Sequence, residues 1–274
     1  MVERTPRHVE PVATDPSNAY QGVADAWAHG PAALYDKLAA LTIAGAATQL
    51  RGKLVLDVGA GTGALCRGLR TAGATPIAID TSTDMLRLIG DTAALSIAGD
   101  MCALPFARGR FAAAVSGFAI SHIDAPQDAL REMRRVVQPH GWVIVAVFGA
   151  APASPSKDAV DDVARDFGYQ PPDWYVQLKT RTEARSNTPT LLNECAATAG
   201  LGSIEITDVI VDPELKSPES IAAYRTGLAH MAPFVASLPD STRIAFVERA
   251  VAAVRKRGQA VRPRVLVLSS RVPA

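Results

Sequence analysis

The 274-residue sequence has little of what several protein classes depend on. Aromatic residues make up only 5% of it, and its formal net charge is +1. Nucleic-acid-binding proteins usually carry a basic face and stacking aromatics, so this composition argues against a nucleic-acid partner. No apolar run is long enough to span a membrane, and residues 1–16 lack the apolar segment of a secretory signal. We therefore expect no membrane association, a cytoplasmic location and a flexible leader over residues 1–16.

Cysteine is also scarce. The three cysteines, Cys66, Cys102 and Cys195, lie far apart in the chain and are odd in number. Their spacing fits neither a zinc site nor a disulfide framework, so we expect no metal and a reducing compartment. Alanine is abundant, and arginine and proline greatly outnumber lysine. That usage is typical of proteins from GC-rich bacterial genomes.

The most informative stretch of the chain is 53–69. It begins with an apolar run that predicts a strand buried on both faces and ends at Asp57. Gly59, Gly61 and Gly63 follow, and a helical pattern comes next. A strand, a glycine turn and a helix together form the nucleotide pocket of open α/β sheets, because glycine lets a ligand approach the backbone closely.

The spacing of this turn distinguishes between ligands. Turns that bind a pyrophosphate favour G-x-G-x-x-G, whereas here three glycines alternate after an acid. The Asp57 carboxylate would repel a pyrophosphate and attract an ammonium group. S-adenosyl-L-methionine (SAM) carries an ammonium, a carboxylate and a sulfonium, and no phosphate. The stretch resembles the turn of class I SAM-dependent methyltransferases, in particular the type 11, small-molecule branch that includes ubiquinone and menaquinone methyltransferases.

Two further predicted strands also lead into acids. The second strand ends at Asp80, and the third runs into a turn at Asp100. A carboxylate at the end of a second strand accepts both ribose hydroxyls in dinucleotide folds. The stretch 99–106 resembles the family pattern G-D-x-x-x-L-P-F. This resemblance implies that Asp100 accepts from the adenine amino group and that the backbone N–H of Met101 reaches the ring.

The resemblance implies a cofactor pocket at the ends of several strands. We expect its lining to consist of Tyr20, Asp57, Gly59, Ala60, Gly61, Gly63, Asp80, Thr81, Met85, Asp100, Met101 and Phe118. Residues 111–124 are similar to the family pattern F-D-x-V-x-x-x-x-x-L-x-H-L-x-D, although Ala112 replaces the usual acid. That pattern assigns His122 either to proton transfer, as the one candidate catalytic residue, or to shaping the cofactor site.

Aromatic residues cluster in one region outside this core. The stretch 169–175 reads as an aromatic- and proline-rich loop that either lines an acceptor pocket or fills the core. Candidate contacts to the acceptor are Tyr20, Tyr35, Trp174, Tyr175 and His230. The sequence does not rank the candidate bases, which are Tyr20, His29, His122, Asp124, Tyr175 and His230.

The predicted fold is an α/β, Rossmann-like seven-stranded sheet with helices on both faces and an antiparallel last strand. We expect residues 17–50 to form an N-terminal helical cap and 51–150 the SAM-binding core. Residues 151–274 complete the same domain, with acceptor-side helices in 151–190 and 212–262. Apolar spacing favours helices over 218–231 and 240–257, and in the resembled fold the last strand, 265–268, lies between the fifth and sixth.

These features predict an enzyme that transfers a methyl group from SAM to O, N or C of a small molecule, secondary metabolites included, as a monomer or homodimer. Two alternatives stay open. The first is a SAM-binding protein of this fold that catalyses another reaction, such as a cyclisation. The second is an NAD(P)-dependent oxidoreductase. Such an enzyme would need the spacing G-x-G-x-x-G, and it would not explain Asp57 or the turn at Asp100.

Overall fold

A computed structural model describes residues 19–152, 154–212 and 214–274, so the predicted leader lies outside the described residues. One sheet of seven strands organises the structure, in the order β3-β2-β1-β4-β5-β7-β6. The strands are β1 (Leu54–Val58), β2 (Thr75–Asp80), β3 (Leu95–Ala98), β4 (Phe111–Gly117), β5 (Val137–Phe148), β6 (Gly202–Ile210) and β7 (Arg264–Arg271). The first five are parallel, and β7 runs antiparallel between β5 and β6. The predicted sheet and the place of its last strand are confirmed.

Helices cover both faces of this sheet. Those of the first half are α1 (Ala24–His29), α2 (Ala32–Ile43), α3 (Ala47–Leu50), α4 (Ala64–Thr71), α5 (Thr83–Leu86) and α6 (Pro126–Val136). Those of the second half are α7 (Pro155–Asp166), α8 (Asp173–Gln177), α9 (Pro189–Thr198), α10 (Pro218–Thr226), α11 (Ala232–Ser237) and α12 (Asp240–Arg257). In the described ranges, no helix is both long and apolar enough to cross a membrane.

The two-sided burial of the sheet follows from the alternation of side chains along its central strands. Val55 and Leu56 are neighbours in β1, yet each belongs to a different hydrophobic core. One core contains α2, α4, α7, α10 and α12, and the other contains α6 and α9. Because both faces are covered, the central strands are mostly apolar, as expected of buried parallel strands.

Two predicted elements differ from the structure. Residues 169–175 were expected to be a loop, but α8 begins at Asp173 and continues through one turn of π-helix into a 3₁₀ turn that ends at Arg185. The single helix expected over 218–231 ends at Thr226, and a separate α11 follows. Gly227 lies at this break and allows the N-terminal cap to approach closely, because a Cβ there would lie 2.6 Å from the backbone oxygen of Ala26.

The helices α10, α11 and α12 form one insertion between β6 and β7. Ile210 at the end of β6 pairs with Arg264 at the start of β7. Just beyond that pair, the N–H of Val211 donates to the carbonyl of Pro263 at 2.9 Å. The insertion therefore leaves and re-enters the sheet at a single point, and α12 packs back onto α7, with Phe246 in edge-to-face contact with Phe167 (ring centroids 5.5 Å apart).

Candidate cofactor and acceptor site

A cavity of about 1040 Å³ lies at the carboxyl ends of the parallel strands. Open α/β sheets bind ligands at this edge, because the loops after the strands diverge there. The cap closes one side of the cavity with Tyr20, Trp27 and Tyr35, and segments after β5 close the other. The volume is at the upper end of what a single drug-sized ligand occupies, so it suits a cofactor together with a second molecule.

Asp57 at the end of β1 is completely buried. The thiol of Cys66 on α4 donates to its Oδ2 at 3.1 Å, while Oδ1 has no hydrogen-bond partner among the described residues. Burial raises the pKa of Asp57 from 3.8 to about 7, and the thiol hydrogen bond opposes this only in part. A buried, half-satisfied carboxylate fits an ammonium group, which supplies both a donor and a compensating charge.

The glycine turn that follows leaves its backbone open to the cavity. Gly59 and Gly61 have φ values of +71° and +53°. A Cβ on Gly59 would lie 2.3 Å from the Cβ of Ala119, whereas one on Gly61 would meet nothing within 4 Å. Gly61 therefore borders open space where a ligand can approach the backbone. Gly63, in contrast, does not line the cavity and is the N-cap residue of α4, in a left-handed conformation.

Asp80 at the end of β2 connects the second strand to this turn. Its Oδ2 accepts from the N–H of Gly61 and its Oδ1 from the N–H of Ser82, both at 2.8 Å. Burial raises the pKa of Asp80, and these backbone donors oppose the rise. Each carboxylate oxygen has two lone pairs, so Asp80 retains capacity to accept from a ribose diol. Thr81 and Met85 line the cavity beside it.

Asp100 lies in the turn after β3, on the same wall of the cavity. Its Oδ1 accepts from the N–H of Cys102 at 2.8 Å, which fixes the turn. Met101 lines the cavity next to it, and its terminal methyl lies close to the glycine turn at Gly59. The structure thus brings the three predicted acids to one wall. Their order along it fits the ammonium, ribose and adenine ends of SAM.

The predicted cap residue Tyr20 and the predicted base His122 meet in the cavity. The Tyr20 hydroxyl lies 3.5 Å from Nε2 of His122, and the Tyr20 ring packs edge-on against Trp27. Burial and the charge of Lys179 lower the pKa of His122 from 6.5 to about 4, so its imidazole is neutral at pH 7. Burial raises the pKa of Tyr20 above its ordinary value, which keeps its hydroxyl protonated.

Phe118 and Tyr35 form the apolar part of the cavity between the two ends. Phe118 follows β4 with a φ of +61°, a conformation that costs energy for a residue with a side chain. Tyr35 packs edge-on against both Phe118 and Phe148, with ring centroids 5.5 and 6.1 Å apart. The strained backbone of Phe118 holds its ring in this aromatic wall.

The end of the cavity away from the acids contains the predicted acceptor residues. Tyr175 stacks on His230 with ring centroids 3.8 Å apart, and Trp174 lies edge-on to Tyr175. The Tyr169 hydroxyl is 2.7 Å from Nδ1 of His230. Burial and the nearby charge of Arg225 hold the pKa of His230 far below its ordinary value, so His230 is neutral.

Other predicted bases are placed less favourably for chemistry. His29 is exposed, does not line the cavity, and contacts the carbonyl of Asp25 through Nδ1. Asp124 lines the rim of the cavity, where it forms an exposed ion pair with Arg181 at 2.7 Å. Among the described residues, no cluster of His, Cys, Asp and Glu side chains is suited to a metal ion.

Sequence reasoning missed Lys157 and the pair of Arg225 with Asp161. Arg225 on α10 donates to both oxygens of Asp161 on α7 at 2.7 Å and to the Tyr175 hydroxyl at 3.2 Å. Lys157 and Arg225 both line the cavity. Asp161 and Arg225 are 64 residues apart and come together only because α7 packs on α10. No local pattern could have identified this pair.

Comparison with known proteins agrees with this geometry. A family model described as "Methyltransferase domain" matches residues 56–145. The chain is 33% identical over 159 residues to a demethylmenaquinone methyltransferase of Mycolicibacterium paratuberculosis, covering 55% of this chain and 69% of that protein. It is 41% identical over 100 residues to one of Renibacterium salmoninarum, covering 35% and 42%. The chain thus spans less than half the length of the second relative and about two thirds of the first.

Solved structures share the fold at low identity. A SAM complex of Haemonchus contortus phosphoethanolamine N-methyltransferase 2 has a TM-score of 0.55 at 17% identity, covering 87% of this chain and 53% of that one. The [4+2]-cyclase SpnF has a TM-score of 0.53 at 22% identity, covering 87% and 82%. Together with the match to the mycobacterial relative and the three strand-end acids, these findings show that the chain belongs to the class I SAM-dependent methyltransferase family and that SAM is its cofactor.

Proposed function

We propose that the protein transfers the methyl group of SAM to a small molecule bound at the aromatic end of the cavity. The observation that carries this proposal is the division of one cavity into two chemically different parts. Three carboxylates border one part, and Trp174, Tyr175 and His230 border the other. A cofactor at the first part would face an acceptor at the second.

The chain's own contribution to such a reaction is alignment and exclusion of water. When bound, SAM supplies a methyl group that is already activated by a positively charged sulfur. The acids Asp57, Asp80 and Asp100 would hold the cofactor, while Tyr20, Trp27 and Tyr35 cover the space beside it. Fixing two reactants in this way removes most of the entropic barrier to their encounter. We assign no proton transfer to His122, because a neutral imidazole with a low pKa is a weak base.

The identity of the acceptor does not follow from the relatives. Two curated relatives are named for demethylmenaquinone, but the family model ends at residue 145, before the segments that border the acceptor end. The structural neighbours are named for two different reactions, those of a phosphoethanolamine N-methyltransferase and of a [4+2]-cyclase. The acceptor must therefore be inferred from the cavity of this chain.

Two measurements test the proposal. Isothermal titration should show binding of SAM and S-adenosylhomocysteine and no comparable binding of NAD or NADP, with Asp57→Asn as the variant that loses it. Mass spectrometry with a panel of small acceptors should then detect S-adenosylhomocysteine and a product heavier by one methyl group. SAM binding with conversion of an acceptor but no added methyl would instead favour another reaction on this fold, such as a cyclisation.

The assembly and location of the protein complete the proposal. We expect a monomer or homodimer. Light scattering coupled to size exclusion would measure the molar mass. A cytoplasmic location stays a prediction that fractionation of the producing cells would test.

A further inference from the structure

The charged residues that border the cavity are divided between its two ends. Asp57, Asp80 and Asp100 border the cofactor end. Within the described part of the chain, no lysine or arginine borders the cavity at these three strand ends. The opposite end is bordered by two acids, Asp124 and Glu183. It is also bordered by five basic residues, which are Lys157, Lys179, Arg181, Arg225 and Arg264. The acceptor end is therefore positively charged.

Four of these basic side chains already have a carboxylate partner. Lys179 pairs with Glu183 at 2.6 Å, Arg181 with Asp124 at 2.7 Å, Arg225 with Asp161 at 2.7 Å and Arg264 with Asp208 at 2.6 Å. Lys157 has no carboxylate within 4.0 Å among the residues that the structure describes. Its ammonium group is the positive charge at this end that remains to be balanced.

Lys157 is held where it faces further positive charge. It lies in the first turn of α7, whose N-cap residue Ser154 makes no side-chain capping hydrogen bond, so the positive end of the helix dipole adds to the field. Burial and the charges of Arg225 and Lys179 lower the pKa of Lys157, and Asp158 and Asp161 oppose this in part. A bound anion would relieve this repulsion and satisfy the ammonium donors.

The same end of the cavity is suited to a flat molecule. Trp174 and Tyr175 line the cavity at this end, and the Tyr175 ring stacks on His230 with centroids 3.8 Å apart. His230 is 5% exposed, and its Nε2 has no partner among the described residues. The Tyr169 hydroxyl is closer to Nδ1 of His230 than to its backbone oxygen, at 2.7 against 3.3 Å. The Tyr169 hydroxyl is occupied by these two contacts, so Nε2 is the ring nitrogen of His230 that remains for a hydrogen bond with a ligand.

We propose that the methyl acceptor is a planar ring compound that binds as an anion, and that Lys157 binds its negative charge. Ionised carboxylates and acidic ring hydroxyls share this chemistry. The inference rests on the proposed function only in that the cofactor fills the other end of the cavity. The role of Lys157 is to position and select the acceptor by charge.

Direct binding to the protein saturated with S-adenosylhomocysteine tests the inference without turnover. Three probes of equal shape are compared by isothermal titration, namely 2-naphthoate, 2-naphthamide and 2-naphthylmethylamine. We expect 2-naphthoate to bind at least about tenfold more tightly than the other two, since only its carboxylate accepts a charge-assisted hydrogen bond from Lys157. 2-Naphthol and its more acidic nitro derivatives then distinguish a hydroxyl anion from a carboxylate.

Variants of Lys157, compared with the loss of a lysine elsewhere, measure the contribution of Lys157 to acceptor binding. Lys157→Gln should weaken 2-naphthoate about tenfold and leave 2-naphthamide and S-adenosylhomocysteine within twofold, and Lys157→Arg should restore most of the loss. Lys53→Gln removes the same charge from the exposed residue before β1, at the other edge of the sheet, and should change nothing.

Three outcomes would overturn the inference. One is equal binding of all three probes or none, and another is tighter binding of the amine. The third is a loss of S-adenosylhomocysteine in Lys157→Gln, which would place Lys157 at the cofactor carboxylate. Failure of the unaltered protein to bind S-adenosylhomocysteine would overturn the proposed function instead.

Discussion

The thiol of Cys66 donates a 3.1 Å hydrogen bond to Oδ2 of Asp57, and both side chains are completely inaccessible to solvent. This contact satisfies only one carboxylate oxygen. The site therefore keeps an acid in an environment that disfavours its charged form until a cation arrives. Asp57 therefore lowers the stability of the protein without cofactor and raises its affinity for the cofactor.

The first prediction concerns Asp57→Asn. The folded-state pKa of about 7 lies above the unfolded value of 3.8, so the unfolded chain loses its proton first as the pH rises. Stability from this group is therefore lost between about pH 4 and 7, by about 2–3 kcal/mol from pH 5 to pH 8. Urea unfolding without cofactor should show this loss in the unaltered protein and not in the variant.

The affinity of the same variant for SAM is the second measurement. Asp57→Asn should weaken SAM at least about tenfold, because it removes a charge-assisted hydrogen bond. A variant that binds SAM normally, or that shows the same pH dependence of unfolding as the unaltered protein, would contradict the assignment of Asp57.

The second prediction concerns the reactivity of Cys66. Burial and the neighbouring Asp57 raise the pKa of its thiol far above the ordinary value, so almost no thiolate is present. Iodoacetamide should leave Cys66 unmodified in the native protein and modify it in urea, as mass spectrometry of peptides would show. Cys102 and Cys195, which are half-buried, serve as internal controls and should react slowly under native conditions. Rapid native labelling of Cys66 would show that α4 opens readily.

The strand-end acids were predictable from sequence for a physical reason. Parallel strands converge at one edge of a sheet, so acids that each follow an apolar run, such as Asp57, Asp80 and Asp100, come together whatever the loops do. The position of β7 followed from the family resemblance, since no local pattern fixes strand order.

The third prediction concerns the open space beside Gly61 in the glycine turn. Gly61→Ala should fold with a loss of about 1–2 kcal/mol, because its φ is +53°. It should also lose SAM affinity at least about tenfold, since its methyl group would enter the space beside the backbone. Gly22→Ala is the matched control, as Gly22 has a φ of +73° and equally open surroundings but does not line the cavity. Gly22→Ala should lose stability but keep its affinity for SAM. Equal SAM affinity in the two variants would contradict the prediction.

The fourth prediction concerns His122. Its folded-state pKa of about 4 lies below the unfolded value of 6.5, so the unfolded chain binds the proton first as the pH falls. Stability from this group is present above pH 6.5 and decreases by about 2 kcal/mol towards pH 4.5. His122→Gln should remove that dependence from urea unfolding curves. The pH profile of kcat/KM between 6 and 8 should keep its shape in the variant, and loss of an inflection near 6.5 would make His122 a proton-transfer group.

The fifth prediction concerns the Arg225–Asp161 pair. The two side chains are 11% and 24% exposed, so removing either partner leaves a mostly buried charge. Arg225→Met and Asp161→Asn should each cost about 2–4 kcal/mol in unfolding free energy, and the double variant should cost less than their sum. Urea unfolding of the four proteins measures this coupling. Strictly additive losses would show that the pair contributes little beyond packing.

The acceptor end was far less predictable than the cofactor end. The sequence placed Trp174 and Tyr175 in a loop, but α8 begins directly after Pro172, and the Tyr175 ring stacks on His230. Lys157 faces the cavity only because α7 packs on α12 and α10. These placements depend on contacts between distant segments, which apolar periodicity does not encode.

The paired exit and entry at Ile210 and Arg264 also bears on how such proteins diversify. The segment between these residues joins the sheet at one hydrogen-bonded junction, so its length can change without altering the register of the sheet, provided that α10 and α12 keep their packing on α7. Changes in this segment can therefore alter which acceptor binds while the cofactor end of the cavity stays the same. The same junction marks where an engineer would cut to exchange this segment between relatives.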